Sequence, residues 1–78
     1  MATAPATADS LTLPGFAKPI AKADVLSVLA FWGYGDSKAF IAESHSMSVK
    51  KVAAIIDAGS LVPQAWRAEA ESRRRDWK

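Results

Sequence analysis

The run from Ser48 to Gly59, SVKKVAAIIDAG, constrains the fold more than any other stretch of the chain. Val52, Ile55 and Ile56 recur at three and four residues, the spacing of one buried helix face. Ser48 stands where an N-cap belongs, its hydroxyl placed to accept from a free amide of the first turn. Gly59 comes just after the last periodic residue, where a left-handed cap costs glycine least. The stretch therefore has a start, a buried stripe and a stop. Just before it, a run from Lys38 to about Ser44 leads into His45, Ser46 and Met47. The segment Lys38 to Ile56 thus reads as two short helices joined by a tight turn.

The same rules place the remaining elements. A first helix from Lys22 to about Trp32 puts Val25, Val28, Leu29 and Trp32 on one face, with Leu26 beside them. Gly33, Tyr34 and Gly35 break it, and Tyr34 is expected to pack on Phe31 or Trp32. Asp36 or Ser37 caps the second helix, whose inward residues are expected to be Phe40 and Ile41. The third runs from Ser48 to Ala58. Pro63 opens a fourth, since its missing amide costs nothing in a first turn. Ala65, Trp66 and Ala70 give that helix a thin apolar stripe. Residues 1–20, punctuated by Pro5, Pro14, Gly15 and Pro19, read as a flexible arm ahead of a helical domain at 21–78. Leu11, Leu13 and Phe16 are more apolar than a linker needs, and are expected to fold back on the core or on a second subunit. No segment shows the alternation of a strand. The expectation is an all-α fold, a bundle of four helices within a range of three to five.

Composition narrows the function. Seventy-eight residues make one domain. Half are hydrophobic, enough for a small core but not for a deep catalytic cleft as well. Without cysteine there is no disulfide framework and no thiolate metal site. The apolar runs are far short of a membrane span, and the first residues lack the pattern of a secretion signal. A cytoplasmic protein is expected. His45 has no obvious companion ligands, so no metal is expected. No serine has a base at a recognisable spacing. Gly33-Tyr34-Gly35 lacks the lysine and hydroxyl pair of a phosphate loop. Neither an enzyme nor a cofactor nor a small-molecule substrate is expected.

The segment from Lys38 to Ile56 resembles the helix-turn-helix of small phage and bacterial repressors of the Cro type. Ile41-Ala42 fills the family's apolar-then-alanine pair in the first helix. Met47 is the apolar turn residue, Ser48 the serine opening the second helix, Val52 and Ile55 its inner pair. His45 stands where the family has leucine, and Ser46 where it has glycine. If φ at Ser46 is positive, serine carries a strain that glycine escapes. Ala42 is small enough to let the two helices cross closely. Gly59, Val62-Pro63 and Trp66 are also similar to the residues just after this motif in some small phage regulators.

The resemblance implies a duplex-binding edge. With Val52, Ile55 and Ile56 inward, Ser48, Val49, Lys50, Ala53 and, at the margin, Ala54 face outward. An α-helix fits the major groove. Lys50 and Ser48 are placed for a base edge or a phosphate, Val49 and Ala53 for a thymine methyl. Lys51, Lys38 and the amides beside Ser37 suit phosphates, which set register rather than sequence. The edge has no arginine, asparagine or glutamine for bidentate base contacts, so weak specificity, or help from the arm and from DNA shape, is expected. In the tail, Arg73, Arg74 and Arg75 are candidate phosphate contacts. Glu69 lies four before Arg73 and Glu71 four before Arg75, so local pairing competes for them. The net charge of +2 and pI near 9.2 permit nucleic acid without demanding it.

The resulting expectation is a transcriptional regulator of the phage or mobile-element type, acting as a homodimer on double-stranded DNA. The arm and the helix bearing Trp66 and Trp77 are the expected dimer surfaces. The rival is a small adaptor or inhibitor that presents Leu11, Leu13, Phe16, Tyr34 or Trp77 to a protein.

Overall fold

A computed structural model describes residues 9–76. Four helices carry it: α1 (Lys22–Tyr34), α2 (Lys38–Ser44), α3 (Val49–Asp57) and α4 (Gln64–Asp76). A single 3-10 turn, Gly59–Leu61, joins α3 to α4. The protein is all-α apart from a two-stranded ribbon, β1 (Ser10–Leu11) and β2 (Ile20–Ala21).

Helix ends obey local chemistry closely. Ser37 caps α2, accepting from the Phe40 amide at 3.1 Å. Ser48 caps α3, accepting from the Lys51 amide at 3.0 Å. Helix α1 ends in a Schellman arrangement: Asp36 N–H donates to Phe31 O, and Gly35 N–H to Trp32 O. Gly35 takes the left-handed φ of 109° that this requires. The end of α2 repeats the pattern, with Met47 N–H donating to Ala42 O and Ser46 N–H to Glu43 O. Here the left-handed position is Ser46, at φ 53°.

The amino-terminal segment corrects two expectations. Residues 9–20 are part of the packed unit, not of a flexible arm, while residues 1–8 lie outside the described residues. Leu11 and Ile20 pair across the ribbon, and both are buried with Leu13. The turn between them uses Pro14 and Gly15: Phe16 N–H donates to Leu13 O at 3.1 Å, and Gly15 has φ 85°. That is type II turn chemistry, with proline first and glycine second. Two residues per strand are too few to show alternation, so the ribbon left no strand signal in the sequence. The apolar character of Leu11 and Leu13 did signal their packing.

The core gathers these residues with Val25, Leu26 and Val28 of α1, Ile41 and Ala42 of α2, and Val52 and Ile55 of α3. Val62, Trp66 and Ala70 close it from the α4 side. Helix α1 touches α2, α3, α4 and both strands. It is covered on several sides, and so it buries Ala30 as well, whereas Trp32 is 43% exposed. The expectation that Trp32 completes the inner stripe is therefore wrong. Phe40 is also outward, 52% exposed. With Ile41 and Ala42 both inward on so short a helix, the residue before them falls on the far side. Ala65 is exposed and Ile56 half-buried.

Candidate nucleic-acid interface

The α2–α3 hairpin is built as a rigid unit. Ile41 and Ala42 pack inward opposite Val52 and Ile55. The turn between them is held by the two Schellman bonds and by His45. The His45 Nδ1 lies 3.0 Å from Ile41 O. A carbonyl only accepts, so Nδ1 carries the proton and donates. The same Ile41 oxygen accepts from the His45 main-chain N–H. The His45 ring meets Phe31 of α1 edge-on, with centroids 4.8 Å apart. Thus His45 both caps a helix end and packs the turn onto α1.

On the outer side, the amino-terminal edge of α3 is open. Val49 is 50% exposed, and Ser48 and Lys50 are exposed beside it. Lys51, Ala53 and Ala54 are half-buried. Among the described residues, neither Lys50 nor Lys51 has an ion-pair partner. The Ser48 oxygen is engaged by the Lys51 amide, and its hydroxyl proton remains to be donated. On α2, Ser37 is exposed but holds the Phe40 amide. Lys38 is half-buried, and its Nζ lies 5.6 Å from the ring centroid of Trp32.

The three arginines are not one patch. Arg73 reaches Glu69 at 3.5 Å and Arg75 reaches Glu71 at 3.1 Å, each within α4. Arg74 lies 3.8 Å from Glu71 and also turns toward α1, where it donates to Gly33 O. Lys22, at the start of α1, lies 3.4 Å from Glu69 and 5.9 Å from the centroid of Trp66. Local pairing, legible from the i,i+4 spacing, leaves these arginines less available to phosphates than Lys50.

Part of the surface expected to serve a dimer is taken up by the fold itself. Leu11, Leu13 and Trp66 are buried in the core. Trp77 lies outside the described residues. Among the described residues, the large apolar side chains left in water are instead Trp32, Tyr34, Phe40 and Val49, of which Trp32 and Phe40 were expected inside. A shallow depression on α4, lined by Gln64, Arg67, Ala68 and Glu71, receives no wall from any other element. Among the described residues, no three or more histidine, aspartate or glutamate side chains gather as a metal site would need. None of the helices there is long and apolar enough to cross a membrane. Compared with known proteins, this chain matches no family model, no curated sequence and no solved structure.

Proposed function

We propose that the protein binds duplex DNA through the α2–α3 hairpin, with the amino-terminal edge of α3 in the major groove. The observation that carries this reading is the split character of α3. Val52 and Ile55 are sealed in the core while Ser48, Val49 and Lys50 stand uncovered. Lys50 supplies the charge, Ser48 a hydroxyl donor, and Val49 an apolar contact for a thymine methyl. Lys51, Lys38 and Ser37 flank the edge and suit phosphates. A regulator of the phage or mobile-element type, working as a homodimer in the cytoplasm, is the role such a sparse edge suits. Two half-sites about one helical turn apart add the affinity that one edge lacks.

The test is fluorescence anisotropy with mixed-sequence duplex across a salt series. Binding that weakens steeply with salt, and that Lys50→Glu abolishes without changing helical content, supports the reading. Failure to bind at low salt, or full binding by Lys50→Glu, refutes it.

A second reading, a protein-interaction module, draws support from the exposed Tyr34 and Phe40. It loses support from Leu11 and Leu13, two of the side chains it was expected to present, because both are buried.

A further inference from the structure

Trp32 is 43% exposed near the end of α1, although a domain this small has little apolar surface to spare for water. What the ring holds accounts for its place. The Lys38 ammonium of α2 lies 5.6 Å from the ring centroid. Lys38 is half-buried, and among the described residues it has no ion-pair partner. Helix stability does not ask for a lysine there. Lys38 is the first residue of α2, the end where the helix dipole disfavours a cation, and the first turn holds no acidic residue to offset it.

Lys22 gives the contrast within the same chain. Its ammonium lies 5.9 Å from the Trp66 centroid, but also 3.4 Å from Glu69. Trp66 is buried in the core, so packing accounts for its ring, and Glu69 offsets the lysine charge. At Trp32 neither holds. A carboxylate would fix a lysine and neutralise it. A ring face attracts the ammonium by its quadrupole and leaves the net charge in place. A lysine held so has given up part of the rotamer freedom of its four-carbon stem before an anion arrives, and loses less on binding.

We propose that Trp32 is a positioning residue, which holds the Lys38 ammonium ready for a backbone phosphate of duplex DNA. The inference rests on the duplex reading and names how one of its flanking contacts is prepared. The test is a double-mutant cycle on the full chain, titrated into labelled mixed-sequence duplex and read by anisotropy across a salt series. Trp32→Ala should weaken binding about two- to fivefold at fixed salt, the span of one exposed cation–π contact, with helical content intact. Trp32→Phe, which keeps a π face, should lose less. Lys38→Met, of similar length without charge, should lower the slope of log affinity against log salt by about one. In that background Trp32→Ala should cost nothing further. An equal loss in both backgrounds, wild-type binding by a folded Trp32→Ala, or an unchanged slope in Lys38→Met overturns the proposal. If Trp32→Ala does not fold, Trp32→Leu, apolar without a π face, takes its place in the cycle. Binding that Lys50→Glu abolishes and Trp32→Ala spares removes the positioning role alone. No duplex binding by the wild-type chain at low salt removes the duplex reading, and this role with it.

Discussion

The Arg74 guanidinium donates to the main-chain carbonyl of Gly33, 3.4 Å away and 41 residues earlier in the chain. Helix α1 has no basic residue in its own last turn. Arg74 brings a positive charge from α4 to the negative end of the α1 dipole. Gly33 makes room for it, since a Cβ there would lie 3.1 Å from Arg74 Cδ. The contact pins the end of α4 to the end of α1.

Arg74→Ala should lower stability by about 0.5 kcal/mol, because the bond is long and the side chain partly exposed. In a domain of this size that is roughly 2–4 °C in Tm. Arg73→Ala loses only a pair within α4 and should shift Tm by less. Equal shifts in the two variants, measured by thermal circular dichroism, would remove the helix-end role.

Ser46 holds the left-handed position that ends α2. A left-handed backbone costs an L-residue about 1–2 kcal/mol, which glycine escapes at some cost in chain entropy. Ser46→Gly should therefore stabilise the protein by about 0.5–1 kcal/mol, seen as a higher urea midpoint with an unchanged slope. Ser46→Val should destabilise it, because a branched Cβ resists that conformation.

His45 separates capping from packing. In His45→Leu the Ile41 carbonyl keeps its main-chain donor and the side chain still fills space against Phe31. A cost under about 1 kcal/mol is expected. His45→Ala removes the ring contact and should cost more, about 1–2 kcal/mol. Urea unfolding of the two variants gives the order.

Leu11 tests the amino-terminal ribbon. It is fully buried, so Leu11→Ala should cost about 2–5 kcal/mol, as should Ile55→Ala on α3. A variant of near wild-type stability in chemical denaturation would mean that residues 9–20 are not integral to the unit.

On the proposed duplex edge, Lys50→Ala should reduce the slope of log affinity against log salt by about one. Val49→Ala should leave that slope unchanged, because it meets only apolar atoms. A slope unaffected by Lys50→Ala would place the phosphate contacts elsewhere.

The parts of this fold that local chemistry determines were readable from the sequence. Ser37 and Ser48 cap where their hydroxyls predict, Gly35 and Gly59 take positive φ beyond helix ends, and Glu69 and Glu71 pair four residues on. The strain at Ser46 arises from serine standing where glycine is usual. The features that resisted reading depend on how many neighbours a helix has. Trp32 continues a regular three-four spacing, yet α1 is covered on several sides and Ala30 takes the buried place. Phe40 is expected inward beside Ile41, but Ile41 and Ala42 together fix the inner side of α2. The Arg74–Gly33 contact has no local signature at all. At the candidate edge, α3 periodicity is enough to place Val49 outside, and the flanking glycines mark Tyr34 as a candidate contact residue, whereas the spacing that includes Trp32 points the other way.

The central position of α1 has a consequence for how the molecule comes apart. Since the ribbon and the other three helices all lean on this one rod, none of them keeps its packing once α1 opens. Hydrogen exchange at Val25, Leu26 and Val28 should therefore occur only through global opening.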